Sequence, residues 1–207
     1  MAVQCYGASR PKDGSTANED AFWIQRPGGT AAVVCDGAGN AQRCAARVVD
    51  LFTRHLASGA LEVQRFPAWA SWLKTIDASL AGGSQTTFVG VALADDHVYG
   101  ASCGDSRAYL VSETGTSILT DGATPRLGSG DASPQPIHVR LAARDVLVLM
   151  TDGAWTPLSA SAIERCVRGH ALKHPSDLPS ALIDLAGARG RPDDMTVVIL
   201  TRRPASP

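Results

Sequence analysis

Apolar and polar positions alternate, cluster and break along the chain in a pattern that predicts most of its elements. Residues 2–6 and 20–25 read as strands, and Pro27-Gly28-Gly29 reads as a turn into a third, Thr30–Cys35. From Ala41 to Leu56 apolar residues fall at 41, 44, 45, 48, 51, 52 and 56, which is one face of an α-helix. A second helix is predicted over 67–80, with Pro67 in its first turn and Trp69, Trp72, Leu73, Ile76 and Leu80 on the buried side. Strands return in pairs. Thr86–Ala94 and His97–Cys103 flank Asp95-Asp96, Arg107–Val111 and Thr116–Leu119 flank Glu113-Thr114-Gly115, and Ile137–Leu141 precedes Asp145–Thr151. Two helices, over 160–171 and 177–187, lead to a final strand at 196–201.

Short turns between successive strands imply antiparallel pairing. Yet Ala31–Cys35 and Val146–Met150 are unbroken apolar runs, and strands of that kind are covered on both faces. Two antiparallel sheets packed face to face, each with a helix pair outside, satisfy both observations. The predicted fold class is therefore α+β, a four-layer αββα sandwich. It is expected to form a single domain over 1–202 with a short tail at 203–207.

Composition narrows the function. Hydrophobic residues make up 44% and charged residues 19% of the 207, enough for a sizeable core and against disorder. Lys+Arg number 19 and Asp+Glu 20, a net charge of -1, so no bulk field draws the chain to nucleic acid or an anionic membrane. Arg202-Arg203 alone is not a basic patch, and no G-x-x-x-x-G-K loop is present to cradle a nucleotide. No apolar run approaches the ~18 residues of a membrane span, and MAVQCYGASRPKDG does not read as a secretory signal. Cys5, Cys35, Cys44, Cys103 and Cys166 are odd in number and lack CxxC spacing. They read as core thiols in a reducing, cytoplasmic setting.

The chemistry lies in carboxylates at strand ends. Asp36 follows AAVVC and precedes Gly37, Asp152 follows VLVLMT and precedes Gly153, and Asp193-Asp194 precedes MTVVIL. Glu19-Asp20 precedes AFWI, and Asp105 sits in CGDSRAYL between two strands. Any one Asp-Gly can be a turn. Several that converge at strand ends, without His or Cys, suit hard divalent cations such as Mg²⁺ or Mn²⁺. Ser84, Thr86 and Thr87 read as strand-entry residues, and none of the histidines at 55, 97, 138, 170 and 174 lies in a motif.

The segments NEDAFWI, VVCDGAGN, GSQTTFVGVAL, CGDSRAYLV, LVLMTDGAW and PDDMTVVIL, in this order from Gly7 to Leu200, resemble the metal-dependent protein phosphatases of type 2C. The resemblance implies the αββα sandwich and a two-metal centre between the sheets. Asp36 would bridge two Mn²⁺ or Mg²⁺ ions, the Gly37 carbonyl would bind one, and Asp152 and Asp193 would hold the other. Glu19 and Asp20 match an acidic pair acting through metal-bound waters, and Asp105 with Asp152 would hold a weaker third ion. A metal-bridging hydroxide would then attack phosphoserine or phosphothreonine in a protein substrate, reversing a serine/threonine kinase. Asp36 and Asp152 are the expected catalytic residues.

The chain also departs from that pattern. Ser15 stands where the family commonly has a phosphate-gripping Arg, and Arg10 and Lys12, on a nearby loop, are the candidate substitutes. Asn40 replaces a Gly, Asp194 an Asn, and Ala38 stands where some members place a His. The family's flap is reduced to the stretch from Leu119 through GATPRLGSGDASPQP, so an open centre with few flap contacts is expected. A second reading is a phosphatase-like regulatory or binding module with weak or no turnover. A third is hydrolysis of a small phosphoester or of another phosphorylated side chain.

Overall fold

The computed structural model describes residues 2–25, 30–38, 43–80, 83–120, 122, 124–170, 174–190 and 193–203. Its strands are β1 (Ala2–Arg10), β2 (Asp20–Ile24), β3 (Ala31–Ala38), β4 (Gln85–Thr86), β5 (Phe88–Ala94), β6 (His97–Cys103), β7 (Arg107–Ser112), β8 (Gly115–Ile118), β9 (Gln135–Arg140), β10 (Val146–Met150) and β11 (Met195–Arg203). Its helices are α1 (Cys44–Ala57), α2 (Phe66–Leu80), α3 (Asp152–Trp155), α4 (Ala160–His170) and α5 (Leu178–Gly187). One sheet runs β1-β11-β10-β7-β8 and the other β2-β3-β5-β6-β9, with β4 on the end of β3. The pairing is antiparallel throughout.

Three hydrophobic cores separate four layers, as the unbroken apolar runs require. Along β3, Ala32 and Val34 point into the seam between the sheets, while Val33 and Cys35 pack under α1 and α2 with Phe52, Trp69, Leu73 and Phe88. Along β10, Leu147 and Leu149 enter the same seam, while Val146, Val148 and Met150 meet Ile163 and Leu182 of the other helix layer. Successive strand side chains point to opposite faces, so with both faces buried no polar position is left in either run. The fold is the expected αββα sandwich.

Several boundaries differ from the sequence pattern. β1 continues past residue 6 to Arg10, because β11 pairs with it as far as Met195. Gly7 makes that possible, since a Cβ there would lie 2.5 Å from the Phe22 ring of the facing sheet. The run Thr86–Ala94 breaks at Thr87 into β4 and β5, which pair with successive parts of β3 in one register. β9 starts two residues early, at Gln135, and β11 extends through Arg203, which the predicted tail had claimed. Asp152-Gly153 opens the short helix α3 rather than a turn. The Pro27-Gly28-Gly29 turn, residues 41 and 42 of the first predicted helix, residue 171 of the third, Gly39, Asn40, Asp121 and residues 204–207 lie outside the described residues. Among the described residues no helix is long and apolar enough to cross a membrane.

Candidate active site

The register of β2 against β3 sets Asp20 directly opposite Asp36. Asp36 sits where β3 leaves β5, and the two threonines at that break grip its backbone. Its N–H donates to Thr87 Oγ1 (2.8 Å), and its carbonyl accepts from the Thr87 N–H (2.9 Å) and from Thr86 Oγ1 (2.8 Å). Thr87 Oγ1 lies 2.7 Å from Ser106 Oγ, which ties the grip to the loop that carries Asp105. The threonines read from sequence as strand-entry residues therefore position a carboxylate.

Asp20 is buried. Its Oδ2 accepts from Thr151 Oγ1 at 2.8 Å, while its Oδ1 is buried with no hydrogen-bond partner. Burial, reinforced by the charge of Asp36, pushes the Asp20 carboxyl up to about 8. Burial likewise raises Asp36 to about 7, against the pull of Arg126 and with the push of Asp152, Asp105 and Asp193. Like charges gathered in a part-buried place resist ionisation unless a cation joins them.

Asp152 is the first residue of α3, and Gly153 brings that helix against the Asp193-Asp194 stretch that leads into β11. A Cβ on Gly153 would lie 2.1 Å from the Asp194 carbonyl and 2.9 Å from Asp193 Cβ. Asp193 Oδ1 accepts the Asp194 N–H at 2.9 Å. The Asp194 carboxylate accepts the N–H groups of Lys12 (2.7 Å) and Glu19 (2.6 Å), and the Glu19 carbonyl accepts the Gly37 N–H (3.1 Å). Asp194 thus fastens the stretch from Lys12 to Glu19 beside β3. Asp105 lies across from this group, with its carbonyl accepting Trp155 Nε1–H at 2.9 Å.

The two substitutes expected for the phosphate-gripping Arg are engaged elsewhere. Arg10 is the last residue of β1, not part of a loop, and its guanidinium meets Asp184 of α5 at 2.5 Å. Lys12 Nζ lies 3.6 Å from Glu19 Oε2, at the edge of the site. Ser15 Oγ donates to the Ala17 carbonyl at 2.7 Å and closes its own loop.

Sequence reasoning missed Arg126. Its Nη1 lies 3.2 Å from Asp36 Oδ2, and its Nη2 lies 3.0 and 3.2 Å from the two carboxylate oxygens of Asp105. Burial works against its charge, but Asp36 and Asp105 outweigh it and hold the guanidinium above its ordinary pKa. Arg126 comes from the stretch taken as an open loop, and that stretch is tied down. Leu127 and Thr86 exchange backbone hydrogen bonds of 2.9 and 3.0 Å, and the buried Asp77 of α2 accepts the N–H groups of Gly128, Gly130 and Ala132. The expectation of few contacts over the centre is corrected accordingly. A lone Arg between two glycine-rich pieces was the available signal, and nothing local to it pointed at Asp36.

The donor set is all oxygen, and the orphaned Asp20 Oδ1 beside Asp36 is the kind of atom a divalent cation or its water satisfies. Residues present fit a hard divalent metal on that ground. Among the described residues no three His, Cys, Asp or Glu side chains close on one point as a ready-made cage. Arg126 instead stands between Asp36 and Asp105.

A family model described as "Stage II sporulation protein E (SpoIIE)" matches residues 26–203. Among solved structures, the serine/threonine phosphatase Stp1 from Staphylococcus aureus superposes with TM-score 0.85 at 21% identity, covering 99% of this chain and 96% of that one. The catalytic domain of the serine/threonine protein phosphatase PstP, in complex with two manganese ions, gives 0.81 at 20% identity over 98% and 99%. PppA, a key regulatory component of T6SS in Pseudomonas aeruginosa, gives 0.82 at 19% identity over 97% and 98%. No curated protein matches the chain in sequence. The sandwich is thus the one shared by the bacterial type 2C serine/threonine phosphatases, as the sequence resemblance implied, and the chain belongs to the SpoIIE family.

Proposed function

We propose that the chain is one metal-dependent phosphatase domain that hydrolyses phosphoserine or phosphothreonine in a protein substrate supplied by a serine/threonine kinase. The observation that carries this reading is the Asp20–Asp36 pair, two adjoining carboxyls whose pKa values are raised by burial and like charge, one with an orphaned oxygen. Asp36, the Gly37 carbonyl, Asp152 and Asp193 hold a pair of Mn²⁺ or Mg²⁺ ions. Glu19 and Asp20 act behind them, and Asp105 with Asp152 holds a weaker third. When bound, the ions supply an activated water and neutralise phosphate charge.

The protein's own part is positioning. Thr86 and Thr87 fix the Asp36 backbone, Thr151 orients Asp20, and Gly153 lets Asp152 approach Asp193. A cysteine nucleophile is a poor alternative. Burial raises the thiol pKa of Cys35, Cys44 and Cys166, and pushes Cys103 up to about 12, so none offers a thiolate. Cys35, Cys44, Cys103 and Cys166 form no disulfide, which supports a cytoplasmic setting.

The test is turnover of a phosphothreonine peptide with EDTA, Mg²⁺ or Mn²⁺, beside Asp152→Asn and Asp36→Asn. Metal-dependent hydrolysis that falls by orders of magnitude in both folded variants is expected. No turnover with any metal, in a folded wild-type protein, would overturn the reading in favour of a regulatory module.

A further inference from the structure

Arg126 differs from Arg10 and Lys12 in that its stretch is held from the helix layer as well as from the site. The guanidinium is carried on a stretch bonded to Thr86 through Leu127 and to the helix layer through Asp77. Gly128 has φ +91, and a Cβ there would lie 2.2 Å from the Ser84 carbonyl, so the chain can take this path only with glycine. A rigid stretch therefore delivers one long cationic side chain to the carboxylates. That side chain remains 23% exposed, against 14% for Asp36, so it is in part open to solvent.

The electrostatics demand such a group. A phosphate monoester must approach Asp36 and Asp105, whose charges repel it. A guanidinium offers five donors in a planar fork matched to phosphate oxygens, and its two contacts with Asp36 and Asp105 engage only Nη1 and Nη2. Carboxylates that turn to divalent cations leave the fork to an anion. Arg10 is spent on Asp184 of α5, Ser15 on its own loop, and Lys12 on Glu19.

We infer that Arg126, between Asp36 and Asp105, is the residue that grips the substrate phosphate. The inference rests on the phosphatase reading for its substrate, but phosphate binding can be measured without turnover. Inorganic phosphate is the probe, titrated by calorimetry into Mn²⁺-loaded wild type, Arg126→Ala and Arg126→Lys, with Mn²⁺ itself titrated separately.

The expected result is a 10- to 100-fold weaker phosphate Kd in Arg126→Ala, roughly the loss of one charge-assisted bidentate contact. Arg126→Lys should recover only part, because a point charge lacks the fork. Mn²⁺ affinity should hold or rise, and where the enzyme turns over, KM should rise more than kcat falls. Unchanged phosphate affinity with tighter Mn²⁺ binding would overturn the inference and leave Arg126 a counter-ion. So would a wild type that binds no phosphate at millimolar concentration. If Arg126→Ala does not fold, Arg126→Lys decides alone, since a phosphate Kd equal to wild type there refutes the fork. Phosphate bound by wild type and lost in the variants, without hydrolysis of any phosphoester, would sink the phosphatase reading and keep the anion site.

Discussion

Asp77 offers a test of how the site is held, because it touches none of the site residues. It lies buried on α2, next to Ile76 on the helix's apolar face, and accepts three backbone N–H groups. Gly128 donates at 2.6 Å and Gly130 at 3.2 Å to Oδ1, and Ala132 at 3.2 Å to Oδ2. A hydrogen bond to a charged acceptor is worth about 1.5–3 kcal/mol net. Asp77→Asn keeps one oxygen for Gly128 and Gly130, now uncharged, and turns an NH₂ toward the Ala132 N–H, so that donor meets donor. The expected cost is about 2–3 kcal/mol, less than the sum of three bonds because two survive weakened. For a chain of this length that lowers Tm by roughly 4–12 °C. Thermal unfolding by circular dichroism reads the stability, and hydrogen exchange over residues 126–132 reads the tether. Phosphate affinity should fall between wild type and Arg126→Ala, because Arg126 loses its fixed base. A Tm within about 1 °C of wild type, with unchanged exchange protection over 126–132, would refute the reasoning.

Other perturbations reach the site from different sides. Gly153→Ala places a Cβ 2.1 Å from the Asp194 carbonyl, so α3 must shift; the expected cost is about 1–3 kcal/mol with Mn²⁺ binding at least tenfold weaker, and unchanged calorimetric affinity would separate Asp152 from the metal. Mn²⁺ at about 100 times its Kd should add about 2.7 kcal/mol, or roughly 5–10 °C in Tm, and a flat thermal scan would count against a metal centre. Without divalent cations, the Asp20 and Asp36 carboxyls stay protonated in the fold to about pH 8 and 7, against 3.8 for a free group, so the folded chain binds more protons than the unfolded one between those values. Their contribution is greatest at low pH and is lost as pH rises through 7 to 8; Asp20, faced by Asp36, Asp194, Thr151 and Thr196, should lose that dependence in Asp20→Asn, whose Tm in EDTA should exceed wild type near pH 8 but not near pH 5. An equal offset at both pH values would place the effect in packing instead.

What the sequence discloses follows from how local the cause is. Unbroken apolar runs at Ala31–Cys35 and Val146–Met150 disclose the four layers, because only a two-sided core tolerates them. Asp95-Asp96 and Gly115 disclose two hairpins, where Asp95 and Gly115 take the positive φ those turns need. The strand-end acids are visible one by one, and register then makes neighbours of Asp20 and Asp36. β1 is half hidden, since Gly7, Ala8 and Ser9 have little strand preference and owe their conformation to β11. α3 is hidden because Asp-Gly reads as a turn until the Asp194 carbonyl is seen against Gly153. Arg126 is hidden most deeply: it meets Asp36 from ninety positions away, through a loop whose shape is written in Asp77. A carboxylate on the buried stripe of a helix, beside Ile76, is the other trace of that arrangement in the sequence, with the lone Arg between glycines.

The short connection therefore does with bonds what a longer flap would do with bulk. From Asp77 the support passes to the Gly128 N–H, along one peptide to Leu127, and across to Thr86 through two backbone hydrogen bonds. Thr86 Oγ1 then donates to the Asp36 carbonyl, and Arg126, one residue before Leu127, closes the circuit on the Asp36 carboxylate. Backbone and side chain of Asp36 are thus fixed from the same stretch, and that stretch is fixed from the outer helix layer. Such a circuit matters because Asp36 is expensive to hold, with burial and the charges of Asp152, Asp105 and Asp193 all acting against its ionised form. A loop free to move would let those carboxylates relax apart. Tied through Asp77, it keeps them close together at the expense of stability, which the divalent cations proposed for the site would return on binding.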